Sequence, residues 1–214
     1  MININNKEHV KELQKFMLKY GYDLGKWGAD GDFGKTSKKA FNEMIKDVNN
    51  SDDKFTLSSE ERIKFIINGC KKEGFTDKQI SYVLATVKRE TNDTFEPVIE
   101  AYWLSEDWRR KNLKYYPYHG RGYVQITWKS NYEKFSKILN MDLVNNPDLV
   151  LKPNVSLFIL VYGFKHGTFT GKKISDYINE NKTDYYNCRR CINGVDHARE
   201  IANNAEYYYN KYFK

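Results

Sequence analysis

The chain has 214 residues, 40% of them hydrophobic and 29% charged, with 35 basic against 28 acidic side chains and a net charge of +7. That length fits one domain or two unequal ones, and that composition supports a real core, which excludes wholesale disorder. The longest uninterrupted apolar run, Leu157 to Tyr162, has six residues against the ~20 of a membrane helix, so stable membrane insertion is not expected.

The opening Met1-Ile2-Asn3-Ile4-Asn5-Asn6-Lys7-Glu8 has no apolar core of a secretory signal, and three cysteines are too few for a disulfide framework. Synthesis in a reducing cytoplasm is the expectation. The positive charge is spread along the chain, with nine lysines against seven acids in residues 1–50. A diffuse excess suits a polyanionic partner or simply aids solubility. No groove-reading motif is present, so a nucleic-acid partner is not expected.

In chain order, residues 6–46 predict two helices around a glycine-rich loop. Val10, Leu13, Met17 and Leu18 recur at helical spacing after a candidate N-cap, Asn6. Gly21, Gly25, Gly28, Gly31 and Gly34 interrupt any helix, and Thr36 to Met44 resumes one. Such a piece has little core of its own. The polar stretch from Lys46 to Lys54 is the linker candidate, giving a unit over 1–48, a linker over 49–56 and a larger domain over 57–214.

The larger part reads as mainly α. Ser58 or Ser59 caps a helix carrying Ile63, Ile66 and Ile67. Thr76-Asp77-Lys78-Gln79 is a capping box that opens a helix with Ile80, Val83, Leu84 and Val87 on one face. A short helix is predicted at 105–112, a strand-like run at Tyr123–Trp128, and helices at 130–139, 154–166, 182–191 and 196–212. Strands and helices do not alternate, which argues against a parallel α/β sheet.

The stripe 80, 83, 84, 87 reaches Glu90 at the helix's C-terminal end. Poor solvation and the helix dipole both disfavour a negative charge there. A carboxylic acid kept protonated is what glycoside hydrolysis needs to protonate a leaving oxygen. The bland alternative is a glutamate rotated off the face and paired with Lys88, Arg89 or another cation. A second carboxylate must come from elsewhere, and Asp93, Glu96, Glu100, Glu106 and Asp107 all follow; position alone does not choose among them. Aromatic residues then double in density: Tyr102, Trp103, Trp108, Tyr115, Tyr116, Tyr118, Tyr123, Trp128 and Tyr132 fall within 31 positions. Such rings suit the C–H faces and hydroxyls of sugars or the stacking of bases, and about half of them are expected in the core. The histidines at 9, 119, 166 and 197 lack zinc-like spacing, so neither metal nor cofactor is expected. Cys188-Arg189-Arg190-Cys191 resembles a redox or zinc half-site, but with no second pair it reads better as packed thiols.

Two family resemblances add to this. Val10…Leu13-Gln14…Leu18…Gly21-Tyr22, then Asp30-Gly31-Asp32-Phe33-Gly34…Thr36…Ala40-Phe41, resembles the three-helix peptidoglycan-binding domain 1 modules. That implies a wall-binding role for Tyr22, Asp30, Gly31, Phe33 and Gly34. Arg89-Glu90-Thr91, Glu100-Ala101-Tyr102-Trp103 and the string Tyr118-His119-Gly120-Arg121-Gly122-Tyr123-Val124-Gln125-Ile126-Thr127-Trp128…Asn131-Tyr132 resemble family 19 glycoside hydrolases, and more narrowly chitinase-like phage endolysins. Asn146-Pro147-Asp148-Leu149, Phe169-Thr170-Gly171 and Ile192-Asn193-Gly194 extend the likeness over 57–214.

The second resemblance implies a lysozyme-like α-helical domain with a small β-hairpin or short-strand element. It makes Glu90 the general acid and Glu100 the general base, with Thr127 helping to hold the attacking water and carboxyls ~6.5–9.5 Å apart for inversion. Gln125, Asn131, Tyr102, Trp103, Tyr123, Asn193 and Arg121 are the expected substrate contacts. Arg121 has an equally good reading as a brace paired with Glu90 or another acid. Arg89 stands where plant chitinases have His. The implied function is that of a monomeric endolysin of the muramidase (lysozyme) type, hydrolysing β-1,4 bonds of bacterial peptidoglycan. It would be made in the host bacterial cytoplasm and reach the wall in the periplasm after holin-dependent release, causing lysis. The alternatives are a chitinase or glucosaminidase on the same fold, and an inactive wall-binding or virion structural protein.

Overall fold

The computed structural model describes residues 7–19, 21–50 and 57–214. The N-cap expected at Asn6 and most of the linker expected at 49–56 lie outside the described residues.

Helix α1 (Lys7–Lys19) and helix α2 (Lys35–Asn50) flank the glycine-rich loop, whose only helical element is a 3₁₀ turn at Gly25–Trp27. The resemblance implied three helices here, and the closely spaced glycines reduce the middle one to that turn. Val10, Leu13 and Met17 pack with Leu24, Ala40, Phe41 and Met44, with Tyr22 and Phe33 partly buried against them. Leu18, expected on the same face, is exposed. The polar Gln14 is wholly buried on the same helix, with both ends of its amide hydrogen-bonded. Gln14 Nε2 shares its two hydrogens among Asp30 Oδ1 (2.8 Å), the Asp32 carbonyl (2.8 Å) and Ser37 Oγ (2.9 Å), while its Oε1 accepts from the Gly31 amide at 2.6 Å. Gly31 has φ +84°, and a Cβ there would meet the Lys7 carbonyl at 2.8 Å. The D-G-D-F-G element thus builds the loop, and Trp27, 72% exposed, is the aromatic that this unit leaves to solvent among its described residues.

The expected capping box forms, and of the two cap candidates it is Ser58 that caps, in a second box. Ser58 with Glu61 opens α3 (Ser59–Lys72), and Thr76 with Gln79 opens α4 (Asp77–Glu90). α4 is more than a one-faced helix: every residue from Gln79 to Val87 is buried. The reason is that it runs through the core, with α3 on one side and the last helix, α9 (Ala198–Tyr212), along its length. Two of its buried polar residues find partners inside: Gln79 Nε2 donates to the Ile178 carbonyl, and Ser81 Oγ shares a hydrogen bond with Tyr185 Oη.

Strand β1 (Val98–Ile99) pairs antiparallel with β2 (Arg121–Gly122), in the register Val98↔Gly122 and Ile99↔Arg121. Between them lies α5 (Glu106–Asn112), capped by Ser105. The strand expected at Tyr123–Trp128 is instead a tight return, because Gly122 (φ +85°) and Gln125 (φ +51°) take left-handed backbone and swing Ile126 back to pair with Arg121. Gln125 Nε2 donates to the Val98 and Gly122 carbonyls and replaces the ladder bonds that a strand would have made. Then follow α6 (Lys129–Leu139) and α7 (Pro153–His166), the latter built from the longest apolar run and buried through most of its length. The helix expected over 182–191 is divided: Lys182–Thr183 is strand β4, paired with β3 (Ile178–Asn179), and only Tyr185–Cys188 is helix α8 before a 3₁₀ turn at Arg189–Cys191. The fold is therefore mainly α with two short antiparallel pairs, consistent with a lysozyme-like architecture. Among the described residues, no helix is long and apolar enough to cross a membrane.

Candidate active site

The end of α4, β1 with the loop after it, and the loop after the Arg189–Cys191 turn surround a cleft of about 490 Å³. Glu90 and Glu100 both line it. Glu90 is brought there by its place as the last residue of α4, and Glu100 by following β1 directly. The intervening loop contains Asn92, Asp93 and Phe95 in left-handed backbone, with Ala101 in the same conformation beyond β1. Such conformations persist in non-glycine residues only where surrounding contacts hold them. Here Thr91 does so, donating to the Val87 carbonyl and accepting from the Phe95 amide.

Glu90 Oε1 accepts from Arg189 Nη1 at 2.7 Å, in an ion pair whose side chains are only 18% and 6% exposed. Arg189 also donates from Nε to the Asp196 carbonyl, which fixes the plane of its guanidinium. Glu90 is thus paired with a cation, as the bland alternative expected, and that cation is Arg189 rather than Lys88 or Arg89. Lys88 pairs with Asp93 at 2.6 Å, and Arg89 Nη2 contacts His197 Nε2 at 2.8 Å. His197 also lies between two carboxylates, with Nδ1 3.2 Å from Glu200 Oε2 and Nε2 3.5 Å from Asp196 Oδ2.

Glu100 is held from a different direction. Its Oε2 accepts from the Gly120 amide at 2.8 Å, its own amide donates to the Gly120 carbonyl at 2.7 Å, and its Oε1 accepts from Tyr115 Oη at 3.1 Å. A Cβ on Gly120 would lie 2.7 Å from Gln125 Oε1 and 3.2 Å from Glu100 Oε2, so a side chain there would push these two groups from their places. The other acids go elsewhere. Asp93 faces a separate cavity beside α9, Glu96 pairs with Arg62, and Glu106 accepts from Tyr116 Oη and Arg109. Those bonds hold the Glu106 carboxyl below the usual range, the Tyr116 hydroxyl contributing most. Among the acids that position alone left open, Glu100 is the one lining the cleft with Glu90.

Tyr102, Trp103, Gln125 and Asn193 also line the cleft, with Trp103 70% exposed and its ring edge-to-face with Tyr102 at 5.1 Å. Tyr123 and Arg121, expected to touch substrate, do not reach it. Tyr123 is wholly buried, leaving no ring face for a sugar. Arg121 is the brace of the two readings, and its acid is Asp148: Nε donates to Asp148 Oδ1 at 2.8 Å, and Nη1 to the Pro117 and His119 carbonyls and Tyr132 Oη. Thr127, expected to hold the attacking water, and Asn131, expected to touch substrate, do not line the cleft; their side chains are engaged in the turn into α6. Thr127 Oγ1 donates to the Gln125 carbonyl and Asn131 Nδ2 to the Thr127 carbonyl. Sequence reasoning missed Arg189, Asp196 and His197. Arg189 was visible only as the middle of the cysteine pair, with nothing local to name its partner. Cys188 and Cys191 are fully buried with their sulfurs 4.0 Å apart, and burial pushes the Cys188 thiol up.

Behind the cleft, His119 is fully buried, stacked on Tyr116 at 5.5 Å, and neither ring nitrogen has a hydrogen-bond partner among the described residues. Burial, assisted by the Arg121 charge, pushes it down to about 4. A folded-state value below the unfolded ~6.5 means the unfolded chain binds the extra proton first. Stability from this residue is complete above pH ~6.5 and is lost as pH falls toward 4, by on the order of 2–3 kcal/mol. Unfolding free energies of the native chain and of His119→Phe, followed by circular dichroism, are therefore expected to change relative to each other over that window. A constant difference would refute the burial effect.

The family model of glycoside hydrolase family 19, described as chitinase class I, matches residues 85–173. The chain is 52% identical over 42 residues to Chitinase 11 of Oryza sativa subsp. japonica, covering 20% of this chain and 16% of that protein. It is 50% identical over 42 residues to the type VI secretion system spike protein VgrG3 of Vibrio cholerae, covering 20% of this chain and 4% of that protein. It is 46% identical over 41 residues to the inactive chitinase-like protein 1 of Hevea brasiliensis, covering 19% of this chain and 13% of that protein. The chain thus spans less than a fifth of the length of each of these relatives. No solved structure matches.

Proposed function

We propose that this protein hydrolyses β-1,4-glycosidic bonds of bacterial peptidoglycan by inverting acid/base catalysis, as a muramidase-type endolysin acting as a monomer. The observation that carries the reading is the pairing of Glu90 and Glu100 across one cleft, each with its own hydrogen-bond support. In this scheme Glu90 gives its proton to the glycosidic oxygen, and Glu100 draws a proton from a water that attacks the anomeric carbon from the opposite face. Arg189 then stabilises the carboxylate that Glu90 becomes, so the charge created by proton transfer appears beside a fixed cation. Tyr102 and Trp103 supply ring faces for the sugar chain.

The N-terminal unit, residues 1–48, would tether the enzyme to the wall, raising local concentration without altering turnover; exposed Trp27 supports a contact role. Release from the host cytoplasm through a holin belongs to the same proposal. A second reading, cleavage of chitin, is favoured by the chitinases among the similar proteins. A third is an inactive wall-binding or virion structural protein; the Hevea relative, named inactive and chitinase-like, is a precedent for the inactivity alone.

Digestion of purified peptidoglycan and of chitin, borohydride reduction and mass spectrometry of the new ends separate these. Reduced muramic acid ends are expected. Reduced glucosamine ends from peptidoglycan would make it a glucosaminidase, action on chitin alone a chitinase, and no new ends a binding protein.

A further inference from the structure

Glu100 sits just past the two-residue strand β1, on a side chain with three rotatable bonds, yet both of its oxygens are held. One bond comes from the Gly120 amide, part of the backbone that continues β2, and the other from Tyr115 Oη in the loop after α5. The Tyr115 ring is itself fixed. Its centroid is 5.0 Å from that of Trp128. Trp128 holds φ +74° at the N-terminal cap of α6, and its amide donates to the Tyr118 carbonyl at 2.9 Å. Left-handed backbone is rare for so bulky a residue. Here it turns the indole against Tyr115 rather than into the core, for Trp128 is half exposed.

We propose that Tyr115 is a positioning residue that, with the Gly120 amide, locks the Glu100 carboxylate in the rotamer from which it activates water. The proposal rests on the reading of Glu100 as the base. A free carboxylate rotates among several orientations, and only one points a lone pair at a water in line with the anomeric carbon. Two donors from separate segments remove that freedom before substrate arrives. Burial and the Glu100 charge push the Tyr115 hydroxyl up, so it remains a donor through the working range. His119 and Arg121 lie behind Glu100 on the β2 segment, and Arg89, Glu90, Arg189, Asp196 and His197 line the cleft with it. His119, driven down to about 4, stays uncharged from pH 5 upward.

The test is Tyr115→Phe in the full chain, assayed on soluble glycan strands from purified peptidoglycan and on chitin hexasaccharide, beside Glu100→Ala and the double variant. Phe keeps the ring against Trp128 and removes one hydroxyl, so the melting temperature is expected to hold. Turnover is expected to fall roughly tenfold, the scale of losing one hydrogen bond to a charged group, with KM within about twofold. The acid limb of the kcat profile is expected to move up, because a carboxylate with one donor fewer binds its proton more readily. In the Glu100→Ala background the hydroxyl should matter no further. Unchanged turnover and pH profile in Tyr115→Phe, with Glu100→Ala inactive, would overturn the positioning role and leave the base in place. A loss confined to KM would make Tyr115 a sugar contact and overturn it too. So would a loss of turnover with an unmoved acid limb. An active Glu100→Ala would overturn the base itself, and the positioning role with it.

Discussion

Glu90→Gln is expected to lower glycan hydrolysis by roughly 10²–10⁴-fold, the usual cost of losing a general acid. Gln preserves the length of the side chain and an oxygen that can still accept from Arg189 Nη1, at 2.7 Å in the native pair. Its amide has no proton to give the leaving oxygen. Glu90→Ala would be the poorer experiment, because it strands a guanidinium that is 6% exposed. Removing one partner of a buried pair costs about 3–5 kcal/mol, so a dead Ala variant would not distinguish lost chemistry from lost fold. The check is a reducing-end assay on purified peptidoglycan, with the near-ultraviolet circular dichroism of the variant compared with the native protein. More than about a tenth of native activity in a folded Gln variant would remove Glu90 from the acid role.

The second large effect is expected at Glu100. Alanine replacements of Asp93, Glu96, Glu100 and Glu106 should fall into two groups, with only Glu100→Ala losing most turnover, by roughly 10²-fold or more. Sodium azide should partly restore that variant, since a small anion can attack without a base to deprotonate it. Asp93, Glu96 and Glu106 each pair with a cation outside the cleft, namely Lys88, Arg62 and Arg109. Their variants should change activity only as far as they loosen the loops that those pairs hold. Greater damage at Asp93 or Glu96, with azide rescue following it there, would move the base and leave Glu90 untouched.

Much of the framework around these acids was legible in the chain itself. The box at Thr76–Gln79 and the cap narrowed to Ser58 or Ser59 start α4 and α3 because the bonds concerned join residues three apart. The stripe of α4 leads to Glu90 because helical periodicity is likewise local. Tyr102 and Trp103 were marked by density and line the cleft. The failures have one character. Tyr123–Trp128 has the composition of a strand, but left-handed backbone at Gly122 and Gln125 makes it a turn, supported by a bond from Gln125 to Val98 far back in the chain. Leu18 fits the apolar stripe of α1 yet is exposed, while the polar Gln14 is buried through its bonds to a loop some seventeen residues on.

What the sequence by itself determined was therefore the class of fold, the capped helices and the residue type at the end of α4. Each of these follows from interactions within a turn or two of one helix. Only the tertiary structure decided which cation meets Glu90, since Arg189 lies 99 residues away and carries no local mark of its partner. It also decided which acid shares the cleft, because Asp93, Glu96, Glu100 and Glu106 are alike in chemistry and differ only in where the loops carry them. It assigned Arg121 to Asp148 rather than to substrate, and Tyr123 to the core. A charge finds its partner through space, and spacing along the chain constrains that choice only where a single helix or turn brings both groups together.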